Sequence, residues 1–172
     1  MLNISFALSF YSIGCSTFSV YTYILTPKFD IRAYVDTIAD SVKILCEQHG
    51  KTLWVQINIK NILICIDCSF VSQVNNNLIS NALRYAKSEV HISYVSDNNG
   101  FYISVSDDGC GFTKDVLNKA TNPYFTEEKD HSEHFGLGLY ICKILCEHHG
   151  GYLKIENCST GAKVTAFFKS LD

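Results

Sequence analysis

Strand-type segments in this chain come in adjacent pairs, and this feature restricts the fold more than any other. Residues 90–95 and 101–105 are separated by the turn sequence Asp-Asn-Asn-Gly at 97–100, which predicts a β-hairpin. Residues 152–156 and 163–168 form a second pair around a Ser-Thr-Gly turn. Such pairs do not suit a doubly wound parallel sheet, in which single strands and helices alternate.

A further pair of strands is predicted nearer the start of the chain. Leu53, Val55, Ile57 and Ile59 alternate with polar residues, as in a half-buried strand. The short apolar run at 62–66 is expected to be its neighbour in the sheet, with the turn at 60–61.

Three long segments carry apolar residues at helical spacing. The first follows Asp30, a plausible N-cap, and stops at Gly50, the second covers 71–86, and the third runs from about 137 to 149. A shorter helical piece is expected near 116–120, within a polar span. Long helices set between paired strands predict an α+β fold: a two-layer α/β sandwich with three long helices on one face of a mixed, mostly antiparallel sheet.

The composition excludes some functions and bounds the size of the fold. The 172 residues suit one domain with a proper core. Lysine and arginine number 14 against 17 acidic residues, a net charge of −3, which gives no basic face for nucleic acid. Of the eight cysteines, Cys46, Cys142 and Cys146 fall in helical patterns and Cys65 in an apolar run, as buried hydrophobes do in a reducing cytosol. Cys65 and Cys68 have the spacing of a metal knuckle, but no second pair lies at a zinc-module distance.

The first 27 residues contain no charged side chain. Residues 2–25 are long enough to cross a bilayer, yet they are rich in Ser, Thr, Tyr and Asn and lack a basic N-terminal flank. Three interpretations stay open: a degenerate membrane segment, the remnant of a preceding segment, or a tail, and the last two are preferred. The functional domain is therefore expected at 28–172.

Two asparagines mark a candidate phosphate site. Asn77 and Asn81 stand four residues apart on the second predicted helix, so their amides project from one face. Two amide oxygens can share a magnesium ion, and Arg84 alongside can neutralise phosphate charge. The alternative is a solvated face with helix-capping asparagines. A run of three asparagines is a poor helix former, however, and that cost favours a function.

Glycines provide two further signals. Asp107 ends a predicted strand before Gly109 and Gly111, where a carboxylate can accept from an exocyclic amine and glycines permit close backbone approach. An ordinary Asp-Gly turn explains this fragment equally well. Gly136 and Gly138 precede the third helix, whose free N-terminal amides can bind phosphate.

Taken in order, these segments resemble the ATP-binding catalytic domain of sensor histidine kinases, in the superfamily that includes gyrase and the mismatch-repair ATPases. The resemblance covers about 27–168 and has five motifs in sequence order. These are the N box at 77–85, the G1 box at 107–111, the F box at 122–126, the G2 box at 136–139 and a closing segment at 159–165. The fold it implies is the Bergerat-type ATP-binding fold.

The resemblance also implies a role for each motif residue, with ATP and Mg²⁺ as cofactors. Asp107 would accept from the adenine amine, with Thr165 nearby through water, and Tyr85 would lie against the ring. Asn77 and Asn81 would hold magnesium and phosphates, and Asn77 and Arg84 would serve catalysis. The remaining binding residues are Gly109 and Gly111 of the G1 box, the lid at 113–135 with Phe125 as anchor and Lys129 as phosphate contact, and Gly136, Leu137, Gly138 and Leu139 of the G2 box.

Two residues depart from the family pattern. His134 stands where the G2 box usually has another glycine, which bears on lid flexibility. Thr121 replaces the leading phenylalanine of the F box, which leaves Tyr124 and Phe125 to anchor the lid.

The resemblance predicts γ-phosphoryl transfer from ATP to a histidine on a separate dimerisation domain and, through it, signalling to a response regulator. None of the six histidines has an acidic residue directly after it, as the family's acceptor does, and about 27 residues before the domain are too few for the acceptor hairpin. A monomeric cytoplasmic fragment is therefore expected, with a membrane reached only through a parent sensor. Two alternatives remain: a truncated nucleotide-binding module without kinase activity, and a hydrolysing ATPase of the gyrase kind. Hydrolases of that kind keep a glutamate where this chain has Asn77.

Overall fold

The fold is an α+β sandwich, seen in a computed structural model that describes residues 28–60, 62–119 and 137–170. The strands in these ranges are β1 (Lys28–Asp30), β2 (Thr52–Ile59), β3 (Leu63–Cys65), β4 (Glu89–Asp97), β5 (Gly100–Asp107), β6 (Tyr152–Asn157) and β7 (Ala162–Lys169). The helices are α1 (Ile31–Gln48), α2 (Cys68–Tyr85), α3 (Lys114–Lys119) and α4 (Gly138–His148). The predicted fold class and the three long helices are confirmed.

The main sheet has five strands in the order β2-β4-β5-β7-β6. The two predicted hairpins are confirmed, since β4 pairs antiparallel with β5 and β6 pairs antiparallel with β7. The centre is also antiparallel between β5 and β7, while β2 and β4 are parallel. The parallel pair is reached by way of α2, because a parallel connection needs a crossover.

The predicted partner of the run at 62–66 is wrong. β3 pairs antiparallel with β1 in a separate two-stranded sheet, with Phe29 opposite Ile64. The Ile31 amide donates to the Ile62 carbonyl at 2.9 Å, and the Cys65 amide donates to Ser170 Oγ at 3.4 Å. These contacts tie β3 to β1 and to the residue after β7 rather than to β2. Nearness in sequence favoured β2, whereas the partner is a three-residue strand too short to be recognised by its pattern.

Side-chain caps fix the starts of the two longest helices. Asp30 accepts from the Ala33 amide at 2.9 Å, which confirms it as the N-cap of α1. Helix α2 begins one turn earlier than expected because Asp67 caps it, accepting from the Ser69 amide at 2.8 Å. The helix ends at Tyr85, which is also the last residue of the predicted N box.

The core lies between the helices and one face of the sheet. On β5 the buried residues Phe101, Ile103 and Val105 alternate with half-buried ones, so this face turns inward and carries Asp107 with it. Tyr94 and Asn75 form a buried polar pair in this layer, with the Tyr94 hydroxyl donating to Asn75 Oδ1 at 2.9 Å. Among the helices described, none combines the length and apolar character needed to cross a bilayer.

Candidate functional site

Asp107 is the last residue of β5 and is buried. Its side chain is only 6% exposed, and its Oδ1 accepts from the Gly109 amide at 2.8 Å. Burial raises the pKa of Asp107, while hydrogen bonds from the Gly109 and Ala162 amides partly oppose that rise. A carboxylate fixed in this way can accept a hydrogen bond from a planar ligand with an exocyclic amine.

Gly109 brings the end of β5 into direct contact with the end of α2. A Cβ at this position would lie 2.3 Å from the Tyr85 carbonyl oxygen and 2.7 Å from Asp107 Oδ1. Gly161, in the β6–β7 turn, closes the other side. Its Cβ would lie 2.4 Å from the Asp107 carbonyl oxygen and 2.8 Å from the Gly109 nitrogen. Three elements therefore meet around Asp107, at distances that no larger residue allows.

Asp108 was not singled out from the sequence, although it joins the same elements. Its Oδ1 accepts from the Lys87 amide at 2.8 Å and the Ser88 amide at 2.9 Å. Hydrogen bonds from the Ser88 hydroxyl and amide hold the pKa of Asp108 well below its usual range. An Asp before glycine is a common turn acceptor, and that was the signal available in the sequence.

Asn157 was missed as well. It fastens the segment after the G1 box to the end of β6. Its Oδ1 accepts from the Phe112 amide at 2.7 Å, and its Nδ2 donates to the Phe112 carbonyl at 2.9 Å. Gly111, with φ of +72°, places its Cα hydrogens against the same Oδ1, where a Cβ would lie 2.9 Å away. Both the left-handed backbone and the close approach require glycine here.

Asn77 and Asn81 are half-buried on the side of α2 that faces α4. Asn81 Nδ2 lies 4.0 Å from the position of a Cβ on Gly138. One turn away, the Asn77 side chain is in hydrogen-bond contact with the Cys142 thiol, whose pKa burial raises to about 12. Both amides thus lie along the first half of α4. Helix α4 itself begins at Gly138 without a side-chain cap, so its first amides suit an anion.

Arg84 and Tyr85 provide a cation and an aromatic ring at the end of α2. Tyr85 is 45% exposed, and the Arg84 guanidinium carbon lies 5.9 Å from the Tyr85 ring centroid. Both side chains project from the helix end that Gly109 touches. An exposed ring beside a buried carboxylate offers a stacking surface for a planar base.

The structure does not bring Thr165 to Asp107. Thr165 lies opposite Ser104 in the β5–β7 register, and the two hydroxyl oxygens are 3.0 Å apart. Ser104 alternates with the core residues Ile103 and Val105, so this pair lies on the face of the sheet away from the helices. On β7 it is Val164 that faces the core.

Several predicted residues lie outside the part of the chain that the structure describes. These are residues 1–27, the F box at 122–126 with Tyr124 and Phe125, Lys129, Gly136, and the positions of family departure at Thr121 and His134. The G2-box residues that are described fall at the start of α4. The Leu137 carbonyl accepts from the Ile141 amide at 2.8 Å, and Leu139 packs against the core.

The chain matches a known protein family and several of its members. The profile of the histidine kinase-, DNA gyrase B- and HSP90-like ATPase family matches residues 66–171. The sensor histidine kinase WalK of Bacillus subtilis is 30% identical over 125 residues, which are 69% of this chain and 20% of WalK. The sensor histidine kinase CpxA of Escherichia coli K12 is 28% identical over 127 residues, 72% of this chain and 28% of CpxA. The chain therefore spans less than a third of the length of either relative.

A solved structure has the same fold. The nucleotide-free catalytic domain of the histidine kinase ThkA superposes with a TM-score of 0.69 and 20% sequence identity. The match covers 83% of this chain and 96% of that domain.

Proposed function

The chain belongs to the histidine kinase-, DNA gyrase B- and HSP90-like ATPase family, and we propose that it transfers the γ-phosphoryl group of ATP to a histidine on a separate domain. The observation that carries the proposal is the placement of two groups of site residues along α2, one beside the start of α4 and one at the end of β5. Asn77 and Asn81 face the start of α4 on one side, and buried Asp107 lies at the other beside the exposed Tyr85 ring. This arrangement provides a polar end for phosphates and a planar end for a base.

The base end would be held by Asp107 and Tyr85. Asp107 accepts from the adenine amine, and Gly109 and Gly161 leave room for the close contacts around it. Tyr85 would lie against the ring face, and Arg84, whose guanidinium carbon is 5.9 Å from the Tyr85 ring centroid, would pair with phosphate. Thr165 was expected near Asp107, but the residue of β7 that contacts Asp107 is Ala162, whose backbone amide donates a hydrogen bond to the carboxylate.

The phosphate end would be held by amides from two helices. The side-chain oxygens of Asn77 and Asn81 fit a magnesium ion bound with phosphates, because this ion prefers oxygen ligands. When bound, Mg²⁺ neutralises phosphate charge. The backbone amides of Gly138 and Leu139 then meet the phosphate oxygens at the positive end of the helix dipole.

Transfer is favoured over hydrolysis because of Asn77. Activation of water requires a group that can take a proton, and the amide of Asn77 cannot. Transfer to an imidazole needs no such base, since the imidazole is itself the nucleophile. The chain supplies positioning and electrostatic stabilisation, which dominate phosphoryl transfer.

The proposed partners are a histidine-containing dimerisation domain and, through it, a response regulator. A cytoplasmic location fits the substrate and the thiols, because ATP and reduced cysteines share that compartment. Seven cysteines in the described ranges are free thiols.

The test is phosphotransfer to a separately produced acceptor domain. With γ-labelled ATP and Mg²⁺, we expect acid-labile phosphate on the acceptor histidine. The Asn81→Ala variant should lose the transfer, and Asn76→Ala, a change at the exposed helix residue beside Asn77, should retain it. ATP binding by calorimetry without label on several acceptor domains would contradict the kinase proposal and indicate a binding module instead.

A further inference from the structure

Two cysteines occupy the two segments that contact Asp107. Cys110 stands between Gly109 and Gly111, and Cys158 begins the β6–β7 turn. The two segments run side by side, held at one end by the hydrogen bonds between Asn157 and Phe112. At the other end Gly161 approaches the Gly109 nitrogen so closely that a Cβ would be 2.8 Å away.

The turn also brings Cys158 back toward the Gly109 end. Its amide donates to the Gly161 carbonyl at 2.9 Å, which places Cys158 across the turn from the residue that touches Gly109. Cys110 is thus flanked on both sides by anchored residues that face the Cys158 turn. A disulfide needs Cα atoms within about 7 Å, and the contacts on either side of the two cysteines hold their segments next to each other.

The Cys158 thiol lies within its own turn, where it can donate to the Gly161 carbonyl at 3.4 Å and to the Ala162 carbonyl at 3.8 Å. Its Sγ lies 3.4 Å from Thr160 Oγ1. Although burial acts to raise its pKa, hydrogen bonds from the Thr160 hydroxyl and from turn amides outweigh burial, and the pKa of Cys158 is lowered. Cys158 is half-buried and Cys110 exposed, so a small oxidant can reach both. Low thiol pKa, access and a neighbouring thiol are the features of redox-responsive cysteines.

Other cysteines in the described ranges have different surroundings. Cys46, Cys142 and Cys146 are buried in the core, and burial raises the pKa of each thiol. Cys68 is exposed but lies at the first residue of α2, at the opposite end of that helix from Gly109. The pair at 110 and 158 is therefore distinguished from them by position and by environment.

We propose that Cys158 and Cys110 form a peroxide-sensitive thiol pair that becomes a disulfide between the G1 segment and the β6–β7 turn, beside Asp107. The Cys158 thiolate attacks one oxygen of hydrogen peroxide. The S–O bond forms, the O–O bond breaks, and hydroxide leaves and takes up a proton as water. The Cys110 thiolate then attacks the Cys158 sulfur, the S–S bond forms, the S–O bond breaks, and hydroxide leaves as a second water. Two thiols lose two electrons in total, and one peroxide gains them.

The disulfide would tie the G1 segment to the β6–β7 turn. Gly109 and Gly161 already contact Asp107 from these two segments, so a bond between them changes the space around that carboxylate. The consequence, loss of ATP binding on oxidation, rests on the proposed function, whereas formation of the disulfide does not.

Peptide mapping of the full chain tests the pair directly. After hydrogen peroxide treatment and alkylation, trypsin releases residues 88–114 and 155–163, each with a single cysteine. We expect these peptides to be joined, with a mass two hydrogens below their sum. The Cys110→Ser variant should instead carry a dimedone-reactive sulfenic acid at Cys158, and Cys68→Ser should form the 110–158 bond like the parent chain. Absence of the joined peptides, or equal joining of Cys158 to Cys68, would overturn the proposal.

Calorimetry with ATP distinguishes a failure of the proposed ATP binding from a failure of the disulfide to affect it. Reduced chain that binds no ATP would count against the proposed function and leave the disulfide result intact. If the joined peptides are found but the ATP affinity is unchanged, the disulfide between Cys110 and Cys158 does not control ATP binding, and that part of the proposal is wrong. Support requires loss of affinity after oxidation, recovery with dithiothreitol, and no loss in Cys158→Ser.

Discussion

The carboxylate of Asp108 accepts hydrogen bonds from both the backbone amide and the side-chain hydroxyl of Ser88. The Ser88 amide donates to Oδ1 at 2.9 Å and the Ser88 hydroxyl donates to Oδ2 at 2.5 Å. Ser88 lies three residues beyond the end of α2, and Asp108 lies one residue beyond the end of β5. This contact therefore sets the distance between the N-box helix and the G1 box.

Replacing Asp108 with asparagine should weaken that link without adding bulk. Because the pKa of Asp108 is depressed in the folded chain, its ionised form stabilises the fold above the unfolded carboxyl pKa of about 3.9. That stability is lost as the pH falls toward the folded pKa. We expect Asp108→Asn to lower the urea midpoint at pH 7, and the difference from the parent chain to narrow below about pH 4. A constant difference at every pH would contradict this.

Asp107→Asn should separate binding from stability. The asparagine Oδ1 can still accept from the Gly109 amide, but its NH₂ would face the adenine amine, donor against donor. Loss of a hydrogen bond to a charged acceptor, about 1.5–3 kcal/mol, corresponds to roughly 10- to 150-fold weaker ATP binding. Because burial raises the pKa of Asp107, the fold should be unchanged or slightly stabilised. Calorimetry and urea unfolding measure the two quantities, and unchanged ATP affinity would contradict the site assignment.

Two glycines give a matched steric test of the site's architecture. A Cβ on Gly109 would lie 2.3 Å from a backbone oxygen, whereas a Cβ on Gly138 has its nearest neighbour 4.0 Å away. We expect Gly109→Ala to cost about 1–3 kcal/mol in the free energy of unfolding. Gly138→Ala should be neutral or stabilising by up to ~1 kcal/mol, since alanine is the better helix former. Equal effects in urea unfolding would show that Gly109 does not touch α2.

Magnesium dependence tests the asparagine pair. If Asn77 and Asn81 share the ion, replacing either with alanine removes an oxygen ligand while leaving the adenine contacts in place. ATP binding by the parent chain should strengthen when Mg²⁺ replaces EDTA, and this gain should shrink in both variants. Asn76→Ala, on the exposed side of the same helix, should keep the full gain. Unaltered magnesium dependence in Asn77→Ala would remove that residue from the ligand set.

His149 should make the fold sensitive to mild acid. It is 1% exposed, and its Nε2 accepts from the Asp67 amide at 3.1 Å, so the neutral ring carries its proton on Nδ1. Burial, together with neighbouring His148, lowers the pKa of His149. A depressed pKa gives stability that is complete above the unfolded value of about 6.5 and is lost as the pH falls toward the folded value.

Urea unfolding at pH 7.5 and pH 5 measures this loss. His149→Asn should show a smaller pH dependence than the parent chain. His49→Asn, at the exposed C-cap of α1, serves as the control and should keep the parental dependence. Identical pH profiles for all three chains would contradict the assignment to His149.

Sequence patterns predicted the elements better than their partners. The β4–β5 and β6–β7 hairpins were predictable because turn residues and strands are adjacent in the chain. The pairing of β3 with β1 was not, because it depends on a tertiary contact of Cys65 with Ser170. The local pattern of polar and apolar residues does not indicate which strand, distant in the sequence, a short strand will pair with.

In the candidate site, too, some features were predictable from local sequence pattern and others depended on tertiary contacts. The residues that bring α2, β5 and α4 together fall in motifs whose spacing is visible in the sequence. The face on which Thr165 lies was hidden, because Ala166, Phe167 and Phe168 interrupt the alternation that would reveal it. Asp108 and Asn157 act through backbone hydrogen bonds, which depend on loop conformation and leave only a weak mark on residue type.

The parallel pairing of β2 with β4 has a consequence for the order of folding. The two hairpins form from neighbouring residues, but β2 meets β4 only after the chain between them, including α2, has folded back. Because long loops close late, we expect β2 to dock after the hairpin strands. A destabilising change on β2, such as Trp54→Ser, should then speed unfolding and hardly slow folding. The edge strand β2 would thus control how long the folded domain persists.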